Sequence, residues 1–308
     1  MVPHLARAVL DFLLTVLKVA PLVFLGFFAA SMMMRLRVHE RLGRLIGDRA
    51  ARWGLTPEAA SALAASLVSP SASYPMLAEL HREGRLDDRD VILLVVATTL
   101  PTTIGELFIK GPFFAALAIL GPRLGLEYVG ALLLSALIQT VPALLLYGRR
   151  RDRSGGSNPD PVVSDPVRPR VREALAEALR RAGRRMAYVL PRMLGVGAAM
   201  VVLAELIRWH VHGGFGPVLA TIVANLSHYT VGYATVAEFV RMGTLSEREA
   251  VATLLIAGCA NVLMIFLRAS LATYVSIFGG RLGVKVWSAN LGSSLAARLL
   301  VAGALLLS

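Results

Sequence analysis

The sequence contains little cysteine and little charge. Its 308 residues include one cysteine, Cys259, so no disulfide can form within the chain. Charged residues make up only 17% of the chain, whereas soluble globular proteins contain about 25%. Aromatic residues are also few, at 7%, and none of them interleaves with the basic stretches to form a nucleic-acid-binding face. Nucleic acid is therefore not an expected partner.

Common catalytic and nucleotide-binding motifs are absent. There is no Walker loop, no dinucleotide fingerprint after a strand, no His-Glu-x-x-His and no Gly-x-Ser-x-Gly. His210 and His212 form a His-x-His sequence, which is too short to define a metal site. We expect a protein that is not an enzyme and that needs neither cofactor nor metal.

Most of the chain is apolar. Hydrophobic residues make up 56% of it, and the mean hydropathy is +0.64. Several apolar runs approach or exceed the roughly 20 helical residues that cross a bilayer. The clearest runs are Leu13–Met34, Gly130–Leu146, Met186–Ile207 and Ala289–Leu307. The net charge of +12 comes largely from arginines beside these runs, as the positive-inside rule expects. We predict an all-α integral membrane protein that crosses the cell membrane several times.

The sequence contains an internal duplication. Six residues recur with the same spacing, and a Gly-x-Arg-Leu-Gly motif at 121–125 recurs at 279–283. The recurring residues are Tyr74, Ala78, Glu79, Gly84, Leu86 and Arg89, which match Tyr233, Ala237, Glu238, Gly243, Leu245 and Arg248. We divide the chain into a first repeat (1–148), a basic linker with an amphipathic helix (149–185) and a second repeat (186–308). Such duplications commonly build a binding site between the copies.

The charges next to the first span of each repeat predict opposite orientations. Arg35–Arg52 is strongly basic, whereas the equivalent His210–Gly214 contains no lysine or arginine. If the basic stretch and the arginine-rich linker are both cytoplasmic, the two repeats have inverted topology and both termini lie outside.

Each repeat divides into four segments: a proline-containing span, a short interrupted segment, a long broken segment and a final span. We interpret the short segment as a re-entrant hairpin, because neither of its arms can cross a bilayer. The predicted arms are Ala59–Val68 and Met76–His81 in the first repeat, and Pro217–Ala224 and Ala234–Arg241 in the second. The long broken segments are Val91–Leu120 and Ala250–Phe278, and whether each crosses once or twice stays open.

Two cations lie inside otherwise apolar sequence. Lys110 and Arg268 each stand about ten residues before the Gly-x-Arg-Leu-Gly motif, or roughly 15 Å of helix. An unpaired charge at that depth costs at least about 2.5–3.5 kcal/mol, so we predict that the pair binds an anion. Snorkelling, or an ion pair between Lys110 and Glu106, is the structural alternative. Glu106 is also the main candidate to carry a coupling proton.

Polar residues cluster at the predicted hairpin tips and at the breaks of the long segments. Broken helices expose backbone N–H groups, and hydroxyl and amide side chains beside them suit a polar or anionic solute. The candidate binding residues are Ser69, Ser71, Ser73, Asn225, Ser227, His228, Thr230, Thr102, Thr103 and Asn261. Alternatively, these side chains cap their own helices or satisfy freed backbone groups.

Short motifs resemble the gate, or nucleoside recognition, domain. These are Gly258-Cys-Ala-Asn-Val262, with Arg268 nine residues after the cysteine, and the Ala-Glu pairs followed by Gly-x-Leu in both repeats. The domain occurs in bacterial ferrous-iron transporters, in spore-maturation membrane proteins and, more distantly, in concentrative nucleoside transporters. The resemblance implies a transport-type fold with paired gate domains. It does not imply iron, because Leu263 follows Val262 where the iron transporters have a proline soon after the cysteine.

These observations favour a secondary transporter or permease for a small polar, anionic solute, surrounded by the lipid bilayer. A non-transporting membrane scaffold or partner subunit is one alternative. A lipid-phosphate flippase is another, since paired cations suit a phosphate headgroup. The solute, the coupling ion and the formation of a homo-oligomer stay open at this point.

Overall fold

The computed structural model describes residues 55–67, 70–151, 175–184 and 215–307, with isolated positions between 9 and 28 and between 186 and 202. All regular structure within these ranges is helical. The predicted basic stretch Arg35–Arg52, its counterpart His210–Gly214 and most of the linker lie outside the described residues, as do most of Leu13–Met34 and Met186–Ile207.

The two repeats contain helices in the same order. The first repeat contributes α1 (Pro57–Ser66), α2 (Pro70–Arg82), α3 (Asp88–Ala97), α4 (Thr99–Lys110), α5 (Pro112–Leu120) and α6 (Pro122–Arg151). The second contributes α7 (Phe215–Ser227), α8 (Tyr229–Arg241), α9 (Glu247–Ile265), α10 (Leu271–Phe278) and α11 (Gly280–Leu307). A five-residue π-helix, Phe266–Ser270, joins α9 to α10.

Four described stretches are long and apolar enough to span a membrane: Asp88–Ile109, Pro122–Arg150, Glu247–Arg268 and Gly280–Leu307. The second and fourth contain the predicted spans Gly130–Leu146 and Ala289–Leu307. Their outward surfaces carry exposed leucines such as Leu134 and Leu299, which suits contact with lipid. The chain is therefore a multi-pass membrane protein.

The recurring Gly-x-Arg-Leu-Gly motif has a structural cause. Its first glycine, Gly121 or Gly279, has a backbone φ of +85° or +83°, a conformation that residues other than glycine rarely adopt. Its last glycine lets the final helix touch the backbone of the helix before it. A Cβ on Gly125 would lie 3.0 Å from the Ala116 carbonyl, and one on Gly283 would lie 2.6 Å from the Tyr274 carbonyl. The motif therefore marks a tight turn and a close helix contact in both repeats.

An acid also recurs at the start of each long broken segment, as Asp90 in the first repeat and Glu249 in the second, and it too has a structural cause. The Asp87 carboxylate accepts a hydrogen bond from the Asp90 N–H at 2.7 Å, and the Asp87 N–H donates back to Asp90. Ser246 and Glu249 make the same reciprocal pair at the start of α9. These capping boxes satisfy backbone donors that a helix leaves free at its N-terminus. They fix the start of the long broken segment in each repeat.

The predicted boundaries of the first hairpin tip were wrong. We expected residues 69–75 to be non-helical, yet α2 already begins at Pro70 and includes Pro75. Proline is well suited to the first turn of a helix, where its missing N–H would have no partner. Pro75 also lacks an N–H, so the Ser71 carbonyl loses the donor that a helix would otherwise provide, and no other hydrogen bond is lost. Ser71 and Ser73 are consequently helical, while Ser69 lies outside the described residues.

The second tip is also shorter than predicted. We expected Asn225–Gly232 to be irregular, but only His228 separates α7 from α8. The break is this short because the His228 side chain caps α8, accepting the Thr230 N–H at 3.3 Å. The helices then pack closely, since a Cβ on Gly232 would lie 2.9 Å from the Asn225 side-chain oxygen.

The two largest hydrophobic clusters of the described residues are each built from both repeats. The first core joins α1, α2, α3 and the end of α6 to α10 and the start of α11. The second core joins α8, α9 and the end of α11 to α4, α5 and the start of α6. Corresponding residues fill corresponding places: Tyr74 and Val95 in the first core match Tyr233 and Leu254 in the second. Each repeat thus completes the core of the other.

Ion pairs link the ends of helices from different repeats. Lys285, near the start of α11, lies 3.1 Å from Asp88 at the start of α3. Arg123, near the start of α6, lies 3.2 Å from Glu247 at the start of α9. At the other end of α6, Arg150 contacts Asp87, beside Asp88. These contacts are exposed, so they indicate arrangement more than stability.

Candidate functional site

A buried hydrogen-bonded chain connects the two repeats where α6 crosses α11. The hydroxyl groups of Tyr74 and Tyr274 are 2.9 Å apart, and the Asn290 amide donates to Tyr274 at 2.7 Å. The Gln139 amide in turn donates to the Asn290 side-chain oxygen at 3.2 Å and to Ser293 at 2.8 Å. We call these five residues the Tyr74–Gln139 network. It is neutral, and it joins α2 and α6 of the first repeat to α10 and α11 of the second.

The equivalent region of the second core is aromatic and charged. The ring centroids of Tyr128 and Tyr233 are 5.4 Å apart, and those of Tyr229 and Tyr233 are 5.6 Å apart. Arg298 in α11 donates from Nη1 to the Gly258 carbonyl at 3.0 Å, and Val301, less than one helical turn further on, belongs to the same core as Tyr128 and Tyr233. We call Tyr128, Tyr229, Tyr233, Gly258 and Arg298 the Tyr233–Arg298 cluster.

The break between α3 and α4 is stabilised by a side chain from α6. Pro101 has no N–H, so the Ala97 carbonyl loses its helical donor. The Thr140 hydroxyl donates to that carbonyl at 3.3 Å and accepts the Leu100 N–H at 3.0 Å. A predicted binding residue acts in a similar way, because the Thr102 hydroxyl donates to the Ser66 carbonyl at 3.3 Å. Thr140 and Thr102 both satisfy backbone oxygens in this structure.

The two predicted cations have known positions on the helices, while their role in anion binding stays a prediction. Arg268 lies in the π-helix with its side chain exposed. Lys110 is the last residue of α4, directly before the left-handed Gly111, and its side chain is outside the described part of the structure. Glu106, the candidate proton carrier, is exposed on α4 and has an interaction partner. Single-turn π-helices often occur at functional sites, which keeps Arg268 of interest.

The predicted hairpin-tip residues differ in their surroundings. Ser73, Asn225 and Thr230 are buried, with Ser73 and Thr230 fully inaccessible. Ser227 is exposed and its hydroxyl donates to the Ala224 carbonyl at 2.7 Å, as in the capping alternative. His228 Nδ1 lies 2.7 Å from the Thr230 hydroxyl, and its ring packs on Tyr229. The two remaining candidates, Thr103 and Asn261, are half-buried in α4 and α9. The binding role of all these residues stays a prediction.

One cavity in the described part of the structure is lined by none of the predicted binding residues. It has a volume of about 270 Å³ and lies between the C-terminal ends of α2 and α10, with His81, Arg82 and Ser276 among its lining residues. His81 Nδ1 contacts the Leu86 carbonyl at 2.8 Å, and Nε2 lies 3.6 Å from Asp88. The cavity is therefore at the end of the molecule that carries the Asp88–Lys285 pair.

Sequence reasoning missed most members of the network and the cluster. Tyr74 and Tyr233 were recognised as a repeated pair, but nothing in the sequence indicated that each would contact a residue of the other repeat. Gln139 and Asn290 gave no signal beyond polarity within a span. Arg298 did give one, because it interrupts an apolar run in the final span, as Lys110 and Arg268 do in theirs.

Comparison with known proteins supports the resemblance for the first repeat. Residues 16–127 match the family model described as Gate: Nucleoside recognition. The match stops before the second repeat, so a second Gate-like domain stays a prediction from the recurring residues. The matched residues include α1–α5 and therefore Tyr74, Pro101 and Lys110.

Two curated relatives resemble almost the whole chain. Uncharacterized protein MJ0880 of Methanocaldococcus jannaschii is 25% identical over 307 residues, covering 95% of this chain and 97% of the relative. Uncharacterized protein MJ0871 of the same organism is 23% identical over 311 residues, covering 94% and 93%. No solved structure gives a significant match to the chain. Both alignments therefore extend over the two repeats and the linker of this chain.

Proposed function

We propose that the protein is a secondary transporter or permease that moves a small polar, anionic solute across the cell membrane by alternating access between two inverted repeats. The Gate domain belongs to a family associated with transport-related membrane proteins. The observation that carries the proposal is the set of polar side chains inside the spanning helices α6 and α11, where the repeats meet. Gln139, Asn290 and Arg298 lie within spanning helices, where a polar side chain costs more free energy than an apolar one. Polar residues in this position commonly mark solute pathways.

Helix ends support the inverted arrangement. The Lys285–Asp88 pair brings the starts of α11 and α3 together, and the Arg123–Glu247 pair does the same for α6 and α9. The Arg150–Asp87 contact brings the end of α6 to the start of α3. These contacts fit an arrangement in which α3 and α9 run in opposite directions, and likewise α6 and α11. Each final span is then antiparallel to its counterpart, as a two-fold axis in the membrane plane requires.

The short helix pairs fit a re-entrant hairpin in each repeat. At about 1.5 Å per residue, the 13 residues of α7 or α8 extend roughly 20 Å, which is less than a 30 Å hydrocarbon core. Both arms of the second pair therefore enter and leave on one side. In the first pair, α1 has 10 residues and is shorter still. We propose that each pair moves against the broken segment of the other repeat: α2 contacts α10 through Tyr74 and Tyr274, and α8 packs against α5.

A thermal-unfolding screen tests the proposal against a non-transporting scaffold. The purified protein would be heated with small anions, zwitterions and neutral polar solutes, and unfolding would be followed by tryptophan fluorescence. A transporter is stabilised by its solute, because a ligand that binds only the folded state raises the unfolding temperature. Hits would then be tested for uptake into proteoliposomes. Stabilisation without uptake, or no stabilisation at all, would favour the scaffold.

The predicted cation pair is tested in the same assay. Arg268→Gln should weaken binding of a stabilising anion without unfolding the protein, because Arg268 is exposed and Met264 stands where the first repeat has Glu106. Lys110→Gln should do likewise if both cations contact the solute. Should Lys110→Gln instead destabilise the protein, and Glu106→Gln restore it, Lys110 is the partner of an acid and has no role in binding.

A further inference from the structure

Arg298 is a charged residue within a spanning helix. It lies nine residues before the end of α11, or about 14 Å of helix, with Leu299 and Leu300 beside it. Its side chain is half-buried. Among the residues that the structure describes, no carboxylate pairs with it. A cation in this position needs a compensating contact, since the bilayer interior provides none.

Within the described part of the structure, the hydrogen bond that Arg298 makes does not explain its presence. It donates to the Gly258 carbonyl, but α9 continues unbroken from Gly258 to Ile265, so that carbonyl already has a helical donor. Thr140, near the equivalent position of the first repeat, differs in this respect, because it satisfies the carbonyl that Pro101 leaves without a donor. A guanidinium carries five N–H donors, and Gly258 occupies only one of its nitrogens.

The guanidinium lies where α11 packs against α9. A Cβ at position 258 would lie 3.3 Å from Arg298 Nη1, so glycine lets the guanidinium lie directly against α9. The Tyr128 and Tyr233 rings, whose centroids are 5.4 Å apart, belong to the same core as Val301, which follows Arg298 by less than one helical turn. Hydroxyl donors and a guanidinium fork are well suited to a planar or tetrahedral oxyanion.

We propose that Arg298 anchors the transported solute by binding its carboxylate or phosphate group between α9, α11 and the Tyr128–Tyr233 pair. This inference rests on the proposed function and adds a residue that the repeat pattern does not supply. The chemistry recognised is an oxyanion, which either a soluble anion or an anionic lipid headgroup provides. The site belongs to the second core alone, because the first core has neutral side chains at the equivalent positions.

Thermal unfolding of the purified full chain tests the assignment. Sodium phosphate and sodium acetate are the soluble probes, phosphatidylglycerol in mixed micelles is the lipid probe, and sodium chloride at equal ionic strength is the control. We expect at least one probe to raise the unfolding temperature of the unmodified protein by several degrees. In Arg298→Gln its apparent affinity should fall roughly thirtyfold or more. A response to phosphatidylglycerol alone would assign the oxyanion to a lipid.

Three further variants separate binding from folding. Arg298→Lys keeps the charge but loses the planar fork, so it should retain part of the response. Gly258→Ala should weaken the response because its Cβ crowds Nη1 while the charge remains. Arg281→Gln, at an exposed position near the start of α11, should respond like the unmodified protein. If Arg298→Gln does not fold, the responses of Arg298→Lys and Gly258→Ala decide whether Arg298 binds the oxyanion.

The possible failures are distinguishable. An unchanged response in Arg298→Gln would overturn the assignment and leave the transporter proposal intact. Stabilisation by neutral solutes but by no anion would also overturn it, while leaving a transporter for a different class of solute. If no solute of any class stabilises the protein, the proposed function fails together with the site.

Discussion

The Tyr74–Gln139 network and the Tyr233–Arg298 cluster occupy matching places in the two cores but differ in chemistry. Tyr74 and Tyr233 are repeat equivalents, and each contacts a tyrosine of the other repeat. In the first core, amides and hydroxyls satisfy one another within an uncharged chain. In the second core, the equivalent part of the final span carries Arg298, which makes one hydrogen bond within the described residues. One helical framework therefore supports a neutral half whose polar groups bond to one another and a charged half for which we propose a binding role.

The largest expected effect tests whether the shared framework depends on its repeated glycines. Gly283→Ala should lower the stability of the fold by about 3 kcal/mol, because the new Cβ would lie 2.6 Å from backbone atoms of Tyr274 and Val275. Gly125→Ala, whose nearest contacts are 3.0 Å, should cost about 1 kcal/mol. Gly292→Ala has nothing within 4 Å and should be neutral or stabilising. Thermal unfolding in detergent measures all three, and equal effects at 283 and 292 would show that the close contact is not required.

A second effect distinguishes the neutral network from the charged cluster. Asn290→Ala should destabilise the fold by about 2 kcal/mol, because it removes the donor to Tyr274 and one of the acceptors of the Gln139 amide, which keeps Ser293. Arg298→Gln should cost less, since the hydrogen bond that Arg298 makes within the described residues goes to a carbonyl that is already bonded. Unfolding temperatures compared at one detergent concentration give the order. A greater loss in Arg298→Gln than in Asn290→Ala would make Arg298 a structural residue.

The smallest of these effects concerns the broken segment of the first repeat. Thr140→Val should cost about 1 kcal/mol, because the Ala97 carbonyl then has no donor. In a Pro101→Ala background the backbone N–H returns, so the same substitution should cost much less. A double-mutant cycle in thermal unfolding measures this coupling. Additive effects would mean that Thr140 does not compensate for the proline.

The sequence was most informative where a physical requirement recurs. The glycines of the Gly-x-Arg-Leu-Gly motif and the capping acids Asp90 and Glu249 each fix a turn or a helix start, so both repeats keep them and a comparison within the chain reveals them. Hydropathy likewise indicated the predicted spans within α6 and α11, since the length of a span is set by the bilayer.

Features that depend on contacts between the repeats could not be predicted. The hairpin tips were placed at polar residues, but helix capping by His228 and the tolerance of a first-turn proline shortened both breaks. The partners of Tyr74 and Tyr233 lie in the opposite repeat, far away along the chain, so no local sequence pattern could predict these contacts. Arg298 was visible as a charge, but its place beside Gly258 required the packing of α9 on α11.

The most direct test of the inverted arrangement compares two equivalent loop positions. Arg85 and Thr244 are both exposed in the loops that precede α3 and α9. Each would be replaced by cysteine in a Cys259→Ser background and treated with an impermeant thiol reagent on intact cells. We predict that only Thr244→Cys is labelled, and that Arg85→Cys is labelled after permeabilisation, because Arg150, at the start of the linker that we place in the cytoplasm, contacts Asp87. Labelling of both positions from the same side of the membrane would contradict the inversion and the account built on it.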